Sequence, residues 1–375
     1  MIDYYDILIA GAGPVGCTIA ERLAQKDLKV LIVEKRNHIG GNCYDCYHNT
    51  GVLIHRYGPH YFRTNNKVLI DYLSQFTEWL PGNYIVKSYV LGQLFPFPIN
   101  LTTLEKFYHR SFTTEEAEKY LDMLKVPNPE PANSEEFVLS RIGHELYMAF
   151  YYGYTLKQWG KSPRELAPSV CGRIPIRYNR DPRYVDHKYQ VIPANGYTKM
   201  FEKMVNHKNI KILLQTDFME IRGHIRPKIA TVYTGPIDAY FDYVFGKLPW
   251  RSLDFDFRTY SRCRYKQSCV QINYPNDYDY TRTVEIKHIT QQRHEDTIVA
   301  YEYPKSQGDP YYPVPAKEND SLFLKYNKLA EKEHQESRVY FAGRLAEYKY
   351  INMDEAFEKG LLIAEKILTD LYRKA

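Results

Sequence analysis

Three features of this 375-residue sequence predict an α/β fold. An apolar run near the start passes through a glycine turn into a helix-compatible stretch. A second apolar run ends in an acidic residue, and a strand, a turn and an amphipathic helix close the chain. The first run is Tyr5-Asp6-Ile7-Leu8-Ile9-Ala10, followed by Gly11-Ala12-Gly13-Pro14-Val15-Gly16 and helical Cys17 to Ala24. The second is Lys29-Val30-Leu31-Ile32-Val33, with Glu34 at its tip, about 20 residues beyond the turn as a dinucleotide fingerprint requires. At the far end, Val339-Tyr340-Phe341-Ala342-Gly343-Arg344 reads as a strand and turn. From Met353 a helix places Ala356, Phe357, Gly360, Leu361, Ala364 and Ile367 on one face. The prediction is therefore a discontinuous Rossmann-like domain whose first and last parts lie at opposite ends of the chain.

Each glycine of the turn has a task. Gly11 permits the tight turn, Gly13 lets the backbone approach a pyrophosphate, and Gly16 lets the helix pack against the strand, with Pro14 and Val15 in the same segment. The helix N-terminus offers free N–H groups and a positive dipole end to the phosphates, and Glu34 is placed to accept from ribose hydroxyls. The continuation Lys35-Arg36-Asn37-His38-Ile39-Gly40-Gly41-Asn42 resembles the extended fingerprint of FAD-binding proteins, so FAD is favoured over NAD and Lys35, Gly41 and Asn42 join the cofactor set. The closing helix would aim its N-terminus at the flavin or ribityl end, bringing in Arg344, Asn352 and Met353.

The middle of the chain differs. Leu101 to Lys125 and Asn133 to Tyr151 read as helices, with capping-box patterns at Thr113/Glu116 and Asn133/Glu136, separated by a proline-rich break at 126–131. Leu139, Ile142, Leu146 and Phe150 form one apolar stripe, so a small helical bundle is expected. Arg177 to Gln190 and Ser268 to Tyr303 read as antiparallel strands around turn residues such as Asn276-Asp277. The expected organisation is FAD-binding at 1–80, a sheet region at 81–100 and a helical subdomain at 101–165. A substrate sheet follows at 166–195, then FAD-binding at 196–245, an antiparallel substrate sheet at 246–315 and FAD-binding closure at 316–375.

Composition narrows the function. A net charge of +5 is too mild for a nucleic-acid coat yet compatible with a basic pocket for a phosphorylated ligand. Six cysteines are too few and too scattered for a disulfide scaffold, and Cys43-x-x-Cys46 has no second pair to complete a metal site. No basic and apolar leader opens the sequence and no apolar run approaches the ~20 residues of a membrane span, so a cytoplasmic protein with no membrane insertion is expected. Tyrosine is abundant, at 36 residues, which suits a cleft that grips rings and hydroxylated ligands.

Five separated segments resemble the UDP-galactopyranose mutases, flavoenzymes that contract a galactose ring from pyranose to furanose. They are Glu34 to Asn42, Gly153-Tyr154-Thr155-Leu156-Lys157-Gln158-Trp159-Gly160, Arg173-Ile174-Pro175-Ile176-Arg177, Pro310-Tyr311-Tyr312-Pro313-Val314 and Gly343-Arg344-Leu345-Ala346-Glu347-Tyr348-Lys349-Tyr350. The resemblance implies an isomerase for cell-surface polysaccharide synthesis, acting on a nucleotide-diphosphate sugar, with FAD that must be reduced although the reaction is redox-neutral. Reduced flavin N5 holds the anomeric carbon while the diphosphate leaves and returns. It implies Arg173 and Arg282 as the cations that hold the diphosphate, with hydroxyls from Tyr184, Tyr311 and Tyr350. Phe150, Tyr151 and Tyr154 would grip the base, Thr155 would follow on the same segment, and Trp159 would belong to a loop that closes over the substrate. Asn273 is a further substrate contact, and His60 would lie beside the flavin and donate towards it. A homodimer is expected by the same resemblance.

Three positions depart from the family pattern: Arg63 where a second histidine is common, Tyr84 in place of asparagine or histidine, and Asn352 in place of aspartate. All three are expected near the sugar and flavin. UDP-galactose is the default substrate, with dTDP-fucose and UDP-N-acetylgalactosamine as rivals. A conventional FAD oxidoreductase of the amine-oxidase type is the competing class, distinguished by a product of altered oxidation state.

Overall fold

The computed structural model describes residues 5–172 and 174–372. Continuous apolar runs form strands covered on both faces, as parallel sheets require. Ile7–Ala10 and Val30–Val33 are such runs, wholly buried, and pair at the middle of a five-stranded parallel sheet. Its order is Ile210–Leu213, Val30–Val33, Ile7–Ala10, Ala230–Tyr233 and Val339–Phe341. Beginning, middle and end of the chain thus meet in one Rossmann-like α/β layer. The helix Pro14–Ala24 lies against the final helix Met353–Tyr372. Gly360 permits this approach, because a Cβ there would stand 2.6 Å from Cβ of Thr18.

A seven-stranded sheet stands beside it, in the order Tyr312–Pro313, Trp250–Tyr260, Thr297–Lys305, Arg282–Val284, Gln271–Asn273, Val86–Val90 and Gln93–Phe97. Its pairs are antiparallel except where Gln271–Asn273 runs parallel to Val86–Val90. Along Trp250–Tyr260 burial gives way to alternation, so part of this sheet is covered and part faces water.

The helical region is more broken than its sequence suggests. Leu101 to Lys125 is two helices, Leu101–Tyr108 and Thr114–Leu124, because His109 turns left-handed at φ 51°. Thr113 accepts from the Glu116 amide, and Glu116 accepts from the Thr113 amide at 2.8 Å, a complete capping box. Asn133 accepts from the Glu136 amide at 2.9 Å, but Glu136 accepts from the Ala132 amide instead, so that box is half formed. Ser134–Tyr147 is interrupted at Gly143 and runs into a π-helical turn, Met148–Tyr152, before Gly153–Trp159. Residues 177–188 form no strand beyond one bridge between Ile85 and Arg183. The buried Arg177 guanidinium gathers the Arg183 carbonyl and the Asp186 carboxylate, which curls this segment into a loop. Regular pairing resumes at Tyr189–Pro193, between Phe62–Thr64 and Trp79–Pro81. No helix among the described residues is long and apolar enough to cross a membrane.

Candidate active site

A cleft of about 1090 Å³ opens at the carboxyl ends of the parallel strands, larger than drug-sized ligand pockets commonly are. Every residue expected to touch the cofactor lines it: Gly11, Gly13, Pro14, Val15, Gly16, Glu34, Lys35, Gly41, Asn42, His60, Arg344, Asn352 and Met353. Gly11 has φ +104°, and a Cβ there would stand 2.1 Å from Thr234 Oγ1, which itself donates to the Ala10 carbonyl. At Gly16 a Cβ would stand 2.0 Å from the Gly11 carbonyl oxygen, so helix and turn touch through backbone alone. Pro14 opens the helix without spending an amide. A cleft lined by bare backbone and a helix N-terminus, with Arg344 and a second helix start in the same wall, fits a dinucleotide.

Glu34 holds both its oxygens against backbone amides, Oε2 accepting from Ala12 and Oε1 from Arg36, each at 2.9 Å. Its carboxylate thereby shapes the turn as well as facing the cleft. Thr234 to Pro236 and Ser306 to Pro310 complete the wall. Apart from Pro310, which opens the Pro310–Val314 segment, the sequence carried no motif for them.

His60 is oriented by its neighbours. Its Nδ1 lies 2.9 Å from the Gly58 carbonyl, so Nδ1 carries the proton. Burial first, then His55, Arg344 and Arg282, lower its pKa to about 3. The ring is neutral, leaving Nε2 as an acceptor. This corrects the expectation of a ring that donates towards the flavin.

Electrostatically close to His60, the seven-stranded sheet presents a row of side chains that includes Arg282. Asn273, Arg282 and Glu302 are cross-strand partners in register. Arg282 Nε donates to Glu302 Oε2 at 2.7 Å; the arginine is 17% exposed and the glutamate wholly buried. Burial opposes the charge of Arg282, but the Glu302 carboxylate, with Tyr154, Tyr312 and Tyr84 nearby, holds its pKa well above the ordinary value. The hydroxyl of Tyr84 donates to Gln271 Oε1 at 2.6 Å, and Gln271 Nε2 donates to Asn273 Oδ1 at 2.7 Å. Tyr184 lies 6.1 Å from Tyr84, ring centre to ring centre. Burial raises the pKa of Tyr84 and takes that of Tyr154 to about 12, so both keep their protons.

Tyr311 requires a correction. Its ring is buried beside Tyr57 and Phe255, on the Arg36 and Asp309 side. The next residue, Tyr312, faces the arginine instead: it stacks on Tyr350 at 5.8 Å, lies 6.2 Å from Trp159, and is electrostatically close to Arg282 and Glu302. Successive residues of extended chain point to opposite faces, and Tyr312, the first residue of its edge strand, is half-buried where Tyr311 is buried. Arg344 braces the group, donating to the carbonyls of Tyr311 and Ile351 and lying 4.8 Å from the Tyr350 ring centre.

Two base-gripping expectations also shift. Phe150 is 2% exposed and edge-on to Phe95, so its faces serve the core. Tyr151 packs against Phe97, whereas Tyr154 remains partly open. Thr155 is buried beside Cys171. Trp159 ends its helix before left-handed Gly160 and packs with Leu166 and Val314. Lys157 of this helix donates to the carbonyls of Tyr274, Asp277, Tyr278 and Tyr280. Arg251 donates to the carbonyls of Lys157 and Gln158. Arg173 lies outside the described residues.

The three departures form one patch. Arg63 Nη2 donates to Asn352 Oδ1 at 2.9 Å, Arg63 Nη1 donates to the Tyr61 hydroxyl at 3.1 Å, and Tyr61 stacks on Tyr84 at 4.2 Å.

A family profile described as UDP-galactopyranose mutase matches residues 149–350, and one for an NAD(P)-binding Rossmann-like domain matches 9–76. A probable UDP-galactopyranose mutase of Klebsiella pneumoniae is 39% identical, over 98% of this chain and 95% of its own. The chain belongs to the UDP-galactopyranose mutase family. That family of isomerases also reaches this chain through the dTDP-fucopyranose mutase of Escherichia coli, 36% identical over 96% of this chain and 97% of its own. A crystal structure of reduced UDP-galactopyranose mutase superposes with TM-score 0.76 at 15% identity, covering 97% of this chain and 96% of the other, a likeness of fold.

Proposed function

We propose that this member of the mutase family interconverts the pyranose and furanose forms of a nucleotide-diphosphate galactose-type sugar, UDP-galactose by default, with FAD in the cleft. The observation that carries the reading is Arg282: a guanidinium fixed by Glu302, with tyrosine side chains electrostatically close to it, and itself electrostatically close to His60, which lines the dinucleotide cleft. Reduced FAD bound in the cleft supplies an electron-rich centre for attack at the anomeric carbon.

The chain's own residues answer the other demands of ring contraction. The diphosphate must leave and return without escaping, so its charge needs fixed counter-charge. Arg282 keeps its charge at any working pH and is already oriented, so little reorganisation is needed as negative charge develops. Tyr154 and Tyr312 stay protonated and offer O–H donors around the same guanidinium, whereas the Tyr84 O–H is engaged by Gln271. Neutral His60 offers an acceptor at the edge of the cleft. The wall of Trp159, Tyr312 and Tyr350 limits water access where hydrolysis would compete. Arg173 is proposed as the second diphosphate cation on the family resemblance.

Sugar choice is assigned to the Arg63–Asn352 and Tyr61–Tyr84 patch, because a buried hydroxyl left without a partner costs about 1–3 kcal/mol. The test is incubation of the dithionite-reduced protein with UDP-galactose, UDP-N-acetylgalactosamine and dTDP-fucose separately, with chromatography of the products. A furanose isomer of unchanged mass from at least one donor is expected. A product of altered oxidation state, or none from FAD-loaded reduced protein with all three, would overturn the reading.

A further inference from the structure

Behind Arg282 lie two polar atoms that the reaction does not use. Glu302 is wholly buried, and its Oε1 finds no hydrogen-bond partner among the described residues, Oε2 being taken by Arg282. His55 is 5% exposed, and its Nε2 likewise finds none. A buried polar atom without a partner is costly, so such atoms are rare. Here the two are complementary. The His60 amide donates to His55 Nδ1 at 3.0 Å, so Nδ1 is the acceptor nitrogen and the neutral ring carries its proton on Nε2. Burial keeps that ring neutral, lowering its pKa to about 3. One orphan is therefore a donor and the other an acceptor.

Both residues line the same small cavity, otherwise walled by apolar groups such as Ile54, Phe257, Val284 and Ile298. Its volume is about 10 Å³, the lower bound of about 10–15 Å³ for one water molecule.

We infer that this cavity is a structural water site in which one water accepts from His55 Nε2–H and donates to Glu302 Oε1, making His55 a positioning residue for Arg282. The link runs from the His60 amide through His55, the water and Glu302 to the guanidinium. It ties the loop beside the cofactor cleft to the cation on the sheet side. A donor aimed at Glu302 favours its carboxylate form, which burial disfavours and Arg282 supports. The other groups around this path are Tyr84, Tyr154 and Tyr312, electrostatically close to both Glu302 and Arg282, together with Asp45, which lies opposite His55 in its strand pair and is held by the Tyr197 and Thr198 amides. This inference rests on the proposed role of Arg282, but the water site itself does not.

The first test is therefore independent of activity: a high-resolution crystal structure of the FAD-bound protein. A water within hydrogen-bond distance of both His55 Nε2 and Glu302 Oε1 is expected. A dry cavity, or direct contact of the two side chains, overturns the site. The second is kinetic, using His55→Leu and His55→Gln with FAD content measured in each. Glu302 must be ionised to hold Arg282, so activity is lost as pH falls. Removing the donor moves that acid limb of kcat/KM to higher pH, by roughly 1 unit for one lost hydrogen bond to a charge. His55→Gln, which retains an N–H donor, returns the limb towards the wild-type position. An acid limb unmoved in FAD-loaded His55→Leu, or moved equally in both variants, overturns the positioning role. If the water is seen but no donor sugar is turned over, the proposed function fails while the site stands.

Discussion

The dinucleotide cleft and the Arg282 cluster are neighbours built on opposite plans. The cleft is built around backbone, the turn Gly11 to Gly16 and a helix N-terminus, with strand-end side chains such as Glu34 and Tyr233 in its lining. The cluster is made of long side chains from residues far apart in sequence, Tyr84, Tyr154, Asn273, Arg282, Glu302, Tyr312 and Tyr350, whose positions depend on one another. A backbone site is fixed by conformation and tolerates little change at Gly11 or Gly16. A side-chain site can be retuned one residue at a time, as the linked departures Arg63, Tyr84 and Asn352 illustrate.

Substitutions can break or sharpen this contrast. The largest effect is expected from Gly11→Val, which forces a side chain into Thr234 from a left-handed backbone: the protein should purify without flavin absorbance and without activity. Arg282→Ala should lower kcat/KM by about 10³-fold or more, the scale of removing one fixed charge-stabilising group, while flavin absorbance is retained. Loss of the flavin in Arg282→Ala would collapse the distinction between the two regions. Next comes a matched pair. Tyr312→Phe should reduce kcat/KM about tenfold, the worth of one hydrogen bond, and Tyr311→Phe should leave it within about twofold; the reverse order would overturn the assignment of faces on that strand.

The last prediction concerns stability and not turnover. His55 and His60 have folded pKa values of about 3, below the ordinary 6.5, so the unfolded chain binds more protons in between. Their contribution is complete above pH 6.5 and is lost as pH falls towards 3, at about 1.4 kcal/mol per pH unit for each histidine. Urea titrations between pH 5.5 and pH 4 should approach this slope, and His60→Gln should flatten it.

What the sequence made legible follows the same division. Ile7–Ala10, the glycine turn, Val30–Val33 and Glu34 could be read because each carries a local rule of spacing or conformation, and the closing helix could be read from its apolar stripe. The cluster could be assembled only through resemblance, because strand register brings Asn273, Arg282 and Glu302 together and no local pattern encodes register. Two of the errors, at Phe150 and Tyr311, were errors of facing. A π-helical turn shifts the register at Phe150, and a two-residue edge strand offers no alternation to tell Tyr311 from Tyr312. At 177–188 the β-prone residues were overruled by one buried arginine gathering carbonyl and carboxylate.

The final helix, pressed onto the first through Gly360, has a consequence for biosynthesis. Its N-terminal residues and the preceding turn supply part of the cofactor cleft, beside the part that the opening residues supply. A nascent polypeptide therefore lacks a finished berth for its coenzyme until translation has passed Met353 and the last helix has emerged. C-terminal truncation should accordingly yield colourless protein even though every glycine of the fingerprint is present.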